Sequence, residues 1–199
     1  MSYVDLHDLR YAMGVADVGE DAPFVDAINA ACSWVDGYCG QSFEQVTEAR
    51  TFTPQRCDRL TLAHSPVATL TGIEVRLDDN LDGTFETLLA AADYVLLPPS
   101  GRTETGAAGP YREIRFIGRT PVVDEHGRPT VQITATWGWP AIPAPVASAA
   151  RLQAQHVFAA RNAPLGYSTV GDLGVIRVRG ASPAVEALLA PYRIGWGIA

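Results

Sequence analysis

The sequence predicts an α+β fold: a small helical bundle formed by N- and C-terminal helices, with an inserted antiparallel β-rich region. Apolar residues recur with the period of a helix near both ends of the chain, and with period two, the period of a strand, between Glu48 and Trp137. The helices at both ends carry apolar faces that only another element can cover, so we expect them to pack together. The expected regions are N-terminal helices at 1–47, a β-rich region at 48–140, C-terminal helices at 141–191 and a tail at 192–199.

The composition is that of a soluble globular protein, because 47% of the 199 residues are apolar and 19% are charged. No apolar run approaches the roughly 20 residues of a transmembrane helix, and the N-terminus is too acidic for a signal peptide. We therefore expect a protein made in a reducing cytoplasm, with no membrane partner. The three cysteines match no zinc-binding spacing and are expected to be free thiols.

The charge balance is acidic, with a net charge of −7, and all 15 basic residues are arginines. An acidic chain is poorly suited to gripping nucleic acid over its whole surface. Arginine forms bidentate pairs with carboxylates and stacks on aromatic rings, so it suits protein interfaces better than lysine does.

Two helices are predicted before the β-rich region. Residues 5–13 carry one apolar stripe, and Gly14 is a good stop signal. A second helix is expected from Asp21 to about Tyr38, with Gly40 ending it. Its apolar residues define a narrow seam with heptad spacing, formed by Val25, Ile28, Cys32, Val35 and Cys39. The residues that widen this seam are Phe24, Ala27, Ala31 and Trp34.

Period-two alternation predicts seven strands in the inserted region and one short strand after it. They are Ala49–Thr53, Leu60–Leu62, Ile73–Leu77, Phe85–Leu89, Tyr94–Leu97, Glu113–Ile117, Val131–Trp137 and Leu173–Val178.

The segment after the seventh strand connects the sheet to a long helix. Gly138-Trp139-Pro140 breaks the strand, and good helix formers dominate from Val146 until Asn162. A last helix begins at Ser182 and ends at Pro191. A rigid aromatic corner is therefore expected between the sheet and the third helix.

An acidic segment, Asp78–Glu86, overlaps the start of a calcium-binding loop, with oxygen ligands at alternating positions and glycine at the sixth. The twelfth position, which needs a bidentate glutamate, holds Leu89, and the flanks have the pattern of strands. A hairpin connection is therefore favoured. The alternative is a β-rich binding module with a weak divalent-cation loop at Asp78–Glu86.

No catalytic motif is present in the sequence. Nucleophile-elbow, zinc-protease and phosphate-loop patterns are absent, and the four histidines lie far apart. The residues therefore give no positive evidence of catalysis, although many active sites leave no local signature. An enzyme is a further alternative, which a deep pocket with converging acids or histidines would favour.

Three arginines alternate with apolar residues at the sixth predicted strand: one directly precedes the strand, one lies within it and one follows it. Such a strand suits either nucleic-acid binding or a polar face paired with acids such as Asp78 or Glu86, and the acidic charge balance favours the second. With two tryptophans, these arginines are our candidates for a subunit interface: Arg112, Arg115, Arg119, Trp137 and Trp139.

The C-terminal tail alternates bulky apolar residues with small or basic ones. A chain end of this kind either packs on its own domain or docks on a partner by strand addition or pocket insertion. The residues that carry this prediction are Tyr192, Arg193, Ile194, Trp196 and Ile198.

The order and spacing of several segments resemble the head–tail connector proteins, also called adaptor or head-completion proteins, of long-tailed phages and gene transfer agents. The likeness extends roughly from Ala22 to Tyr192. The segments that carry it are Val35–Phe43, Arg50–Phe52, Ala92–Pro98, Gly109–Tyr111, Thr136–Trp139, Ile142–Pro143 and Ala187–Tyr192.

This resemblance implies a structural virion protein located at the head–tail junction and synthesised in the host cytoplasm. It also implies that the protein is not an enzyme and needs no cofactor. It implies a ring, twelve-fold in the particle, that lies under the portal protein, continues the DNA channel and offers a docking surface to a neck or tail-completion protein. DNA is expected to pass through without specific binding. The family commonly holds the portal with its C-terminal segment, which gives the 192–199 tail its expected partner.

Overall fold

The structure is a computed structural model that describes residues 3–15, 21–103, 108–161, 167–169, 175–177 and 182–194. The chain divides into two compact units. Residues Ser42–Ala141 form one of them, named here the β unit. Met1–Gln41 and Ile142–Ala199 form the other, the helical unit.

Helices and strands together confirm the α+β class. The helices are α1 (Leu6–Met13), α2 (Asp21–Cys39), α3 (Ala144–Ala160) and α4 (Pro183–Leu189), and the turn Ala190–Tyr192 is 3-10 helical. The strands are β1 (Val46–Phe52), β2 (Arg59–Thr61), β3 (Glu74–Leu77), β4 (Thr87–Leu88), β5 (Tyr94–Leu97), β6 (Glu113–Phe116), β7 (Val131–Trp137), β8 (Tyr167–Thr169) and β9 (Val175–Arg177).

Helix-to-helix packing organises the helical unit. α2 packs on α3, α3 on α4, and α1 touches both α2 and α3. The rings of Phe24 and Phe158 stack with their centroids 4.0 Å apart, while alanines supply much of the remaining buried surface of α2 and α3. Small side chains let two helix backbones approach closely, so close backbone packing beside the Phe24–Phe158 pair helps to stabilise this unit.

The buried face of α2 differs from the heptad seam that the sequence indicated. Val25, expected on that seam, is 42% exposed, and Cys32 is only half-buried. The buried positions follow the 3.6-residue period of a straight helix instead. They are Phe24, Ala27, Ile28, Ala31, Val35 and Cys39.

Two antiparallel sheets form the β unit. One has the strand order β1-β7-β3-β4 and the other β2-β6-β5. Their inner faces share one hydrophobic core, in which Trp137, Leu77 and Ile114 are fully buried. The alternation along β7 is therefore confirmed, since every second residue from Val131 to Trp137 is buried.

The corner after β7 depends on a glycine. Gly138 has φ +108°, a conformation that side chains with a Cβ rarely adopt. A Cβ added there would lie 2.1 Å from the carbonyl oxygen of Glu44. The Gln45 amide donates to the carbonyls of Trp139 and Pro140, at 2.8 and 3.0 Å. The aromatic corner is thus fixed by backbone crowding and by two hydrogen bonds.

Short strands account for two further differences, and β1 begins three residues before the predicted Ala49. β4 holds only two of the five residues predicted from Phe85 to Leu89. β9 falls within the predicted strand Leu173–Val178, and its partner β8 was missed because three residues give too little alternation to detect.

Candidate assembly surfaces

The root of the C-terminal tail is attached to the end of α2. The backbone N–H of Ile194 donates to the carbonyl of Cys39 at 2.8 Å, and the Gln41 amide donates to the carbonyl of Tyr192 at 2.6 Å. The last carbonyls of a helix have no partner within it, so the Ile194 contact satisfies one of them. The guanidinium of Arg193 lies 5.4 Å from the ring centroid of Tyr38.

The first half of the predicted docking tail is therefore engaged with its own unit. Tyr192 and Ile194 are half-buried, and Arg193 is exposed. Trp196 and Ile198 lie outside the described residues. The two hydrogen bonds fix the point from which the last five residues start.

The three candidate arginines occupy different environments. Arg112 is half-buried, donates to the carbonyl of Ala63 at 3.0 Å and has its guanidinium carbon 5.6 Å from the ring centroid of Trp139. Burial lowers the pKa of Arg112 below its usual value. Arg115 is exposed and lies 4.0 Å from Glu113, while Arg119 pairs with Asp79 at 2.6 Å. Pairing with acids is thus the role that Arg115 and Arg119 have within the chain.

The two candidate tryptophans are interior residues. Trp137 is 1% exposed, and its indole N–H donates to the carbonyl of Glu48 at 2.9 Å. Trp139 is 4% exposed and lies against Phe43, with ring centroids 5.4 Å apart. Neither ring offers surface to a neighbouring subunit in this conformation, so a contact there would have to use other side chains.

The acidic segment forms the turn of a β3–β4 hairpin, as the favoured interpretation predicts. Both carboxylate oxygens of Asp78 accept backbone N–H groups, from Leu81 at 2.7 Å and from Gly83 at 2.8 Å. The Asp82 carboxylate accepts from the hydroxyl and the N–H of Thr84, and these bonds lower its pKa. The carboxylates of Asp78 and Asp82 therefore stabilise the turn through these hydrogen bonds.

Carboxylates also cluster at this turn. One oxygen each of Asp78, Asp82 and Glu86 lie within 4.8 Å of one another, a spacing compatible with a divalent cation. The buried Asp78 already accepts two N–H bonds, and the residue that the calcium pattern requires as glutamate is Leu89, which is buried in the core. The arrangement is better explained by the turn than by a cation site.

A second ion-pair network braces the same hairpin. Arg128 makes a bidentate pair with Asp124, from Nε at 3.0 Å and from Nη2 at 3.3 Å, and donates from Nη1 to the carbonyl of Leu81 at 2.9 Å. The hydrogen bonds from Arg128 hold the pKa of Asp124 well below its usual range. The hairpin tip is thus held in one position.

Catalytic groups do not converge among the described residues. A groove of about 230 Å³ in the helical unit, between α1 and α3, brings together Asp5, Asp8 and Arg151, but neither a histidine nor a cysteine lines it. The Asp5 carboxylate caps α1 by accepting the N–H of His7 at 2.7 Å. No described helix is both long and apolar enough to cross a membrane.

Comparison with solved structures finds similar chains in a gene transfer agent particle. A chain in the neck of the empty particle, computed with C6 symmetry, has 25% sequence identity and a TM-score of 0.56. A chain in the virion of the native particle has 24% identity and a TM-score of 0.61. A chain in the native neck, computed with C12 symmetry, has 23% identity and a TM-score of 0.56. Each match covers 97% of this chain and 90% of the other.

No protein-family model and no curated protein matches the sequence. The matched structures are parts of a particle neck or virion, which supports a structural neck protein. Their C6 and C12 symmetries indicate ring-forming oligomers in the particle. The resemblance to neck proteins of phages and gene transfer agents, predicted from the sequence, is confirmed by these structures.

Proposed function

We propose that this protein is a head–tail connector, an adaptor that forms a ring under the portal, extends the DNA channel and provides the attachment surface for the next neck or tail-completion protein. The observation that carries the proposal is the match over 97% of the chain to chains in a particle neck. The protein is made in the host cytoplasm and becomes part of the virion at the head–tail junction. Its role is structural rather than enzymatic.

The charge of the chain suits a channel for DNA. The 22 acidic residues outnumber the 15 arginines. A protein that neutralises many phosphates binds DNA tightly through counterion release, whereas few accessible cations leave it unbound. The DNA passes through the ring without specific binding.

The ring contains twelve copies in the particle, in keeping with the C12 symmetry of one similar neck. A ring requires heterologous contacts, in which each subunit presents two different surfaces. Of the candidate interface residues, Arg115 and Arg119 have the exposure that such a contact needs, at 53% and 56% of their side-chain surfaces.

The tail docks on the portal. Its root at Tyr192–Ile194 is fixed by the Gln41 and Cys39 hydrogen bonds, so the ring would present twelve chain ends from equivalent positions. Trp196 and Ile198 follow with alternate spacing, which suits strand addition or insertion in apolar pockets. Fixing the root lowers the ordering cost of binding.

Removal of residues 195–199 tests the docking role, since it leaves the root intact. We expect the truncated chain to keep its melting temperature and to lose attachment to portal-bearing heads in a pull-down or in reconstituted particles. A tail with the same five residues in scrambled order is the matched control, and it should also fail because the alternation is lost.

Normal attachment of both variants to heads would contradict portal docking by the tail. Loss of attachment by the truncated chain alone, with full activity of the scrambled tail, would show that length and apolar content suffice and would contradict recognition through alternation.

A further inference from the structure

We propose that the outer face of the β2-β6-β5 sheet, named the arginine face and defined by Arg59, Arg115, Val95 and Ile117, receives the acidic β3–β4 hairpin of the neighbouring copy. The occupant is a second copy of this chain. The inference rests on the proposed ring and specifies one of its subunit contacts.

The arginine face points away from the core of the β unit. Leu60, Ile114 and Phe116 are buried, and side chains alternate along a strand, so residues between them face outward. Arg115 lies opposite Arg59 on one side and opposite Val95 on the other in the strand register. The face therefore combines two guanidinium groups with aliphatic side chains.

Two aliphatic side chains lie beside the arginines and are exposed. Val95 is 37% exposed and Ile117 is 63% exposed. Arginine is enriched at protein interfaces relative to the rest of the surface. Arginines beside exposed aliphatic groups form a surface compatible with a protein contact.

Charge on the arginine face is incompletely neutralised. Arg59 and Arg115 lie 3.2 and 4.0 Å from one acid, Glu113. The other nearby acid, Asp58, interacts with the charge of Arg59 but is paired with Arg56 at 3.1 Å. Like charges directly opposite each other on neighbouring strands are destabilising. Three cations and two carboxylates leave a site where another carboxylate is favourable.

The β3–β4 hairpin carries an excess of negative charge. Asp79 pairs with Arg119, but Asp82 and Glu86 accept hydrogen bonds only from the neutral Asn80 and Thr84, and neither has a cationic partner in the described part of the chain. Both carboxylates are on exposed residues. Their charges are close together and uncompensated by a cation.

Both charge pairs are closely spaced. Oxygens of Asp82 and Glu86 lie within 4.8 Å of each other. Nitrogens of Arg59 and Arg115 lie 3.2 and 4.0 Å from the same Glu113 oxygen, so their guanidinium groups are also close together. The carboxylate pair of the hairpin can therefore approach the guanidinium pair. Exposed Leu88, next to the hairpin acids, supplies an apolar group for Val95 or Ile117.

The positions of the two surfaces suit a head-to-tail contact. The hairpin belongs to the four-stranded sheet, whereas the arginine face is the outer side of the three-stranded sheet. A subunit that carries two complementary patches can contact one copy through each patch, which is the kind of heterologous contact that a closed ring requires.

Charge reversal with rescue tests this contact in the assembled particle. Arg115→Glu and Glu86→Arg are made singly and together, and joined particles are counted by electron microscopy in a producer that lacks the wild-type gene. Each single change should lower the number of joined particles roughly tenfold or more, because like charges then face each other across the contact. The double change should restore most of the loss, because the opposite signs are re-established.

Arg151→Glu is the matched control, since Arg151 is an exposed arginine on α3 of the helical unit and belongs to neither proposed patch. It should leave the count near wild type. Melting temperatures of all variants show whether a loss of joined particles comes from misfolding. A folded single variant with a normal count would overturn the inference, as would a double variant no better than the worse single one.

Binding of DNA or of a different protein to the arginine face predicts loss with Arg115→Glu but no rescue by Glu86→Arg, so that result also overturns the inference. Deletion of the whole gene distinguishes a failure of the proposed connector function from a failure of the hairpin contact alone. If deletion leaves joined particles, the proposed connector function fails. If deletion abolishes joining while both single variants join normally, the hairpin contact alone fails.

Discussion

The β unit and the helical unit are held together in different ways. In the β unit, large side chains such as Trp137, Leu77 and Ile133 fill a core between two sheets. In the helical unit, alanines such as Ala150 and Ala154 line the buried side of α3 and allow helices to approach. Large side chains fill the core of the β unit, so replacing them with small ones should destabilise it. Small side chains allow close helix packing in the helical unit, so replacing them with large ones should destabilise that unit.

The two units also carry different candidate surfaces. The helical unit fixes the tail root through Cys39 and Gln41. The β unit presents ion-paired loops and the arginine face. The tail root and the arginine face lie outside the buried core of the β unit. Substitutions in that core therefore test stability, whereas substitutions at these two surfaces test assembly.

The largest effect is expected at the corner of the β unit. Gly138→Ala would place a Cβ 2.1 Å from the Glu44 carbonyl oxygen and force a positive φ on alanine. We expect a loss of about 3 kcal/mol or more in the free energy of unfolding, measured by urea denaturation.

Gly127→Ala is the control for that change. Gly127 also has a positive φ, +74°, but an added Cβ would meet nothing within 4 Å. The expected loss is about 1–2 kcal/mol, the cost of the left-handed conformation alone. Equal losses at the two glycines would contradict the crowding at the corner.

A smaller loss is expected from overfilling the helical unit. Ala150→Leu adds three carbons where α3 is fully buried, and we expect a loss of about 1–3 kcal/mol. The same substitution at Ala30, on the exposed side of α2, should change stability by less than about 0.5 kcal/mol. If Ala150→Leu leaves the melting temperature unchanged in thermal denaturation, the helical unit can accommodate a larger side chain at this position, and the requirement for small residues is contradicted.

An increase is expected from Gly37→Ala. Gly37 lies inside α2, is exposed, and an added Cβ there would meet nothing within 4 Å. Alanine is favoured over glycine in a helix by about 0.8–1 kcal/mol, so the variant should melt at a higher temperature. A drop in melting temperature would mean that Gly37 has a conformational role within the free chain.

A pH-dependent effect is expected from Asp124→Asn in the β unit. The Arg128 hydrogen bonds depress the pKa of Asp124 in the folded chain, whereas an unfolded aspartate titrates at about 4. The stabilisation by the charged carboxylate is therefore fully present above about pH 4 and is lost as the pH falls through the folded value. The variant should be less stable than wild type at pH 7, and the gap should narrow below about pH 4. A stability difference between wild type and Asp124→Asn that stays constant down to pH 2 would show that the charge of Asp124 is not the source of the stabilisation.

Much of the β unit follows from the sequence because alternation is a local signal. The bounds of β5 and β7 were predicted to the residue, and the fully buried residues of β7 are the ones that alternation selects. Pairing between distant strands is not local. β7 pairs with β1 and with β3. The alternation within each strand does not indicate which strands become neighbours.

The candidate surfaces were only partly predictable for the same reason. Pairing of the strand arginines with acids was expected, but the acids are Glu113 and Asp79 rather than Asp78 or Glu86. Arg119 and Asp79 lie 40 residues apart in the chain. The opposed arginines Arg59 and Arg115 become visible only once the strand register is known.

The most direct test of the connector function is electron microscopy of particles from a producer that lacks this gene. We expect DNA-filled heads and separate, unattached tails, because the ring that joins them would be missing. Joined particles in normal number, or no particles in that producer at all, would contradict a connector at the head–tail junction.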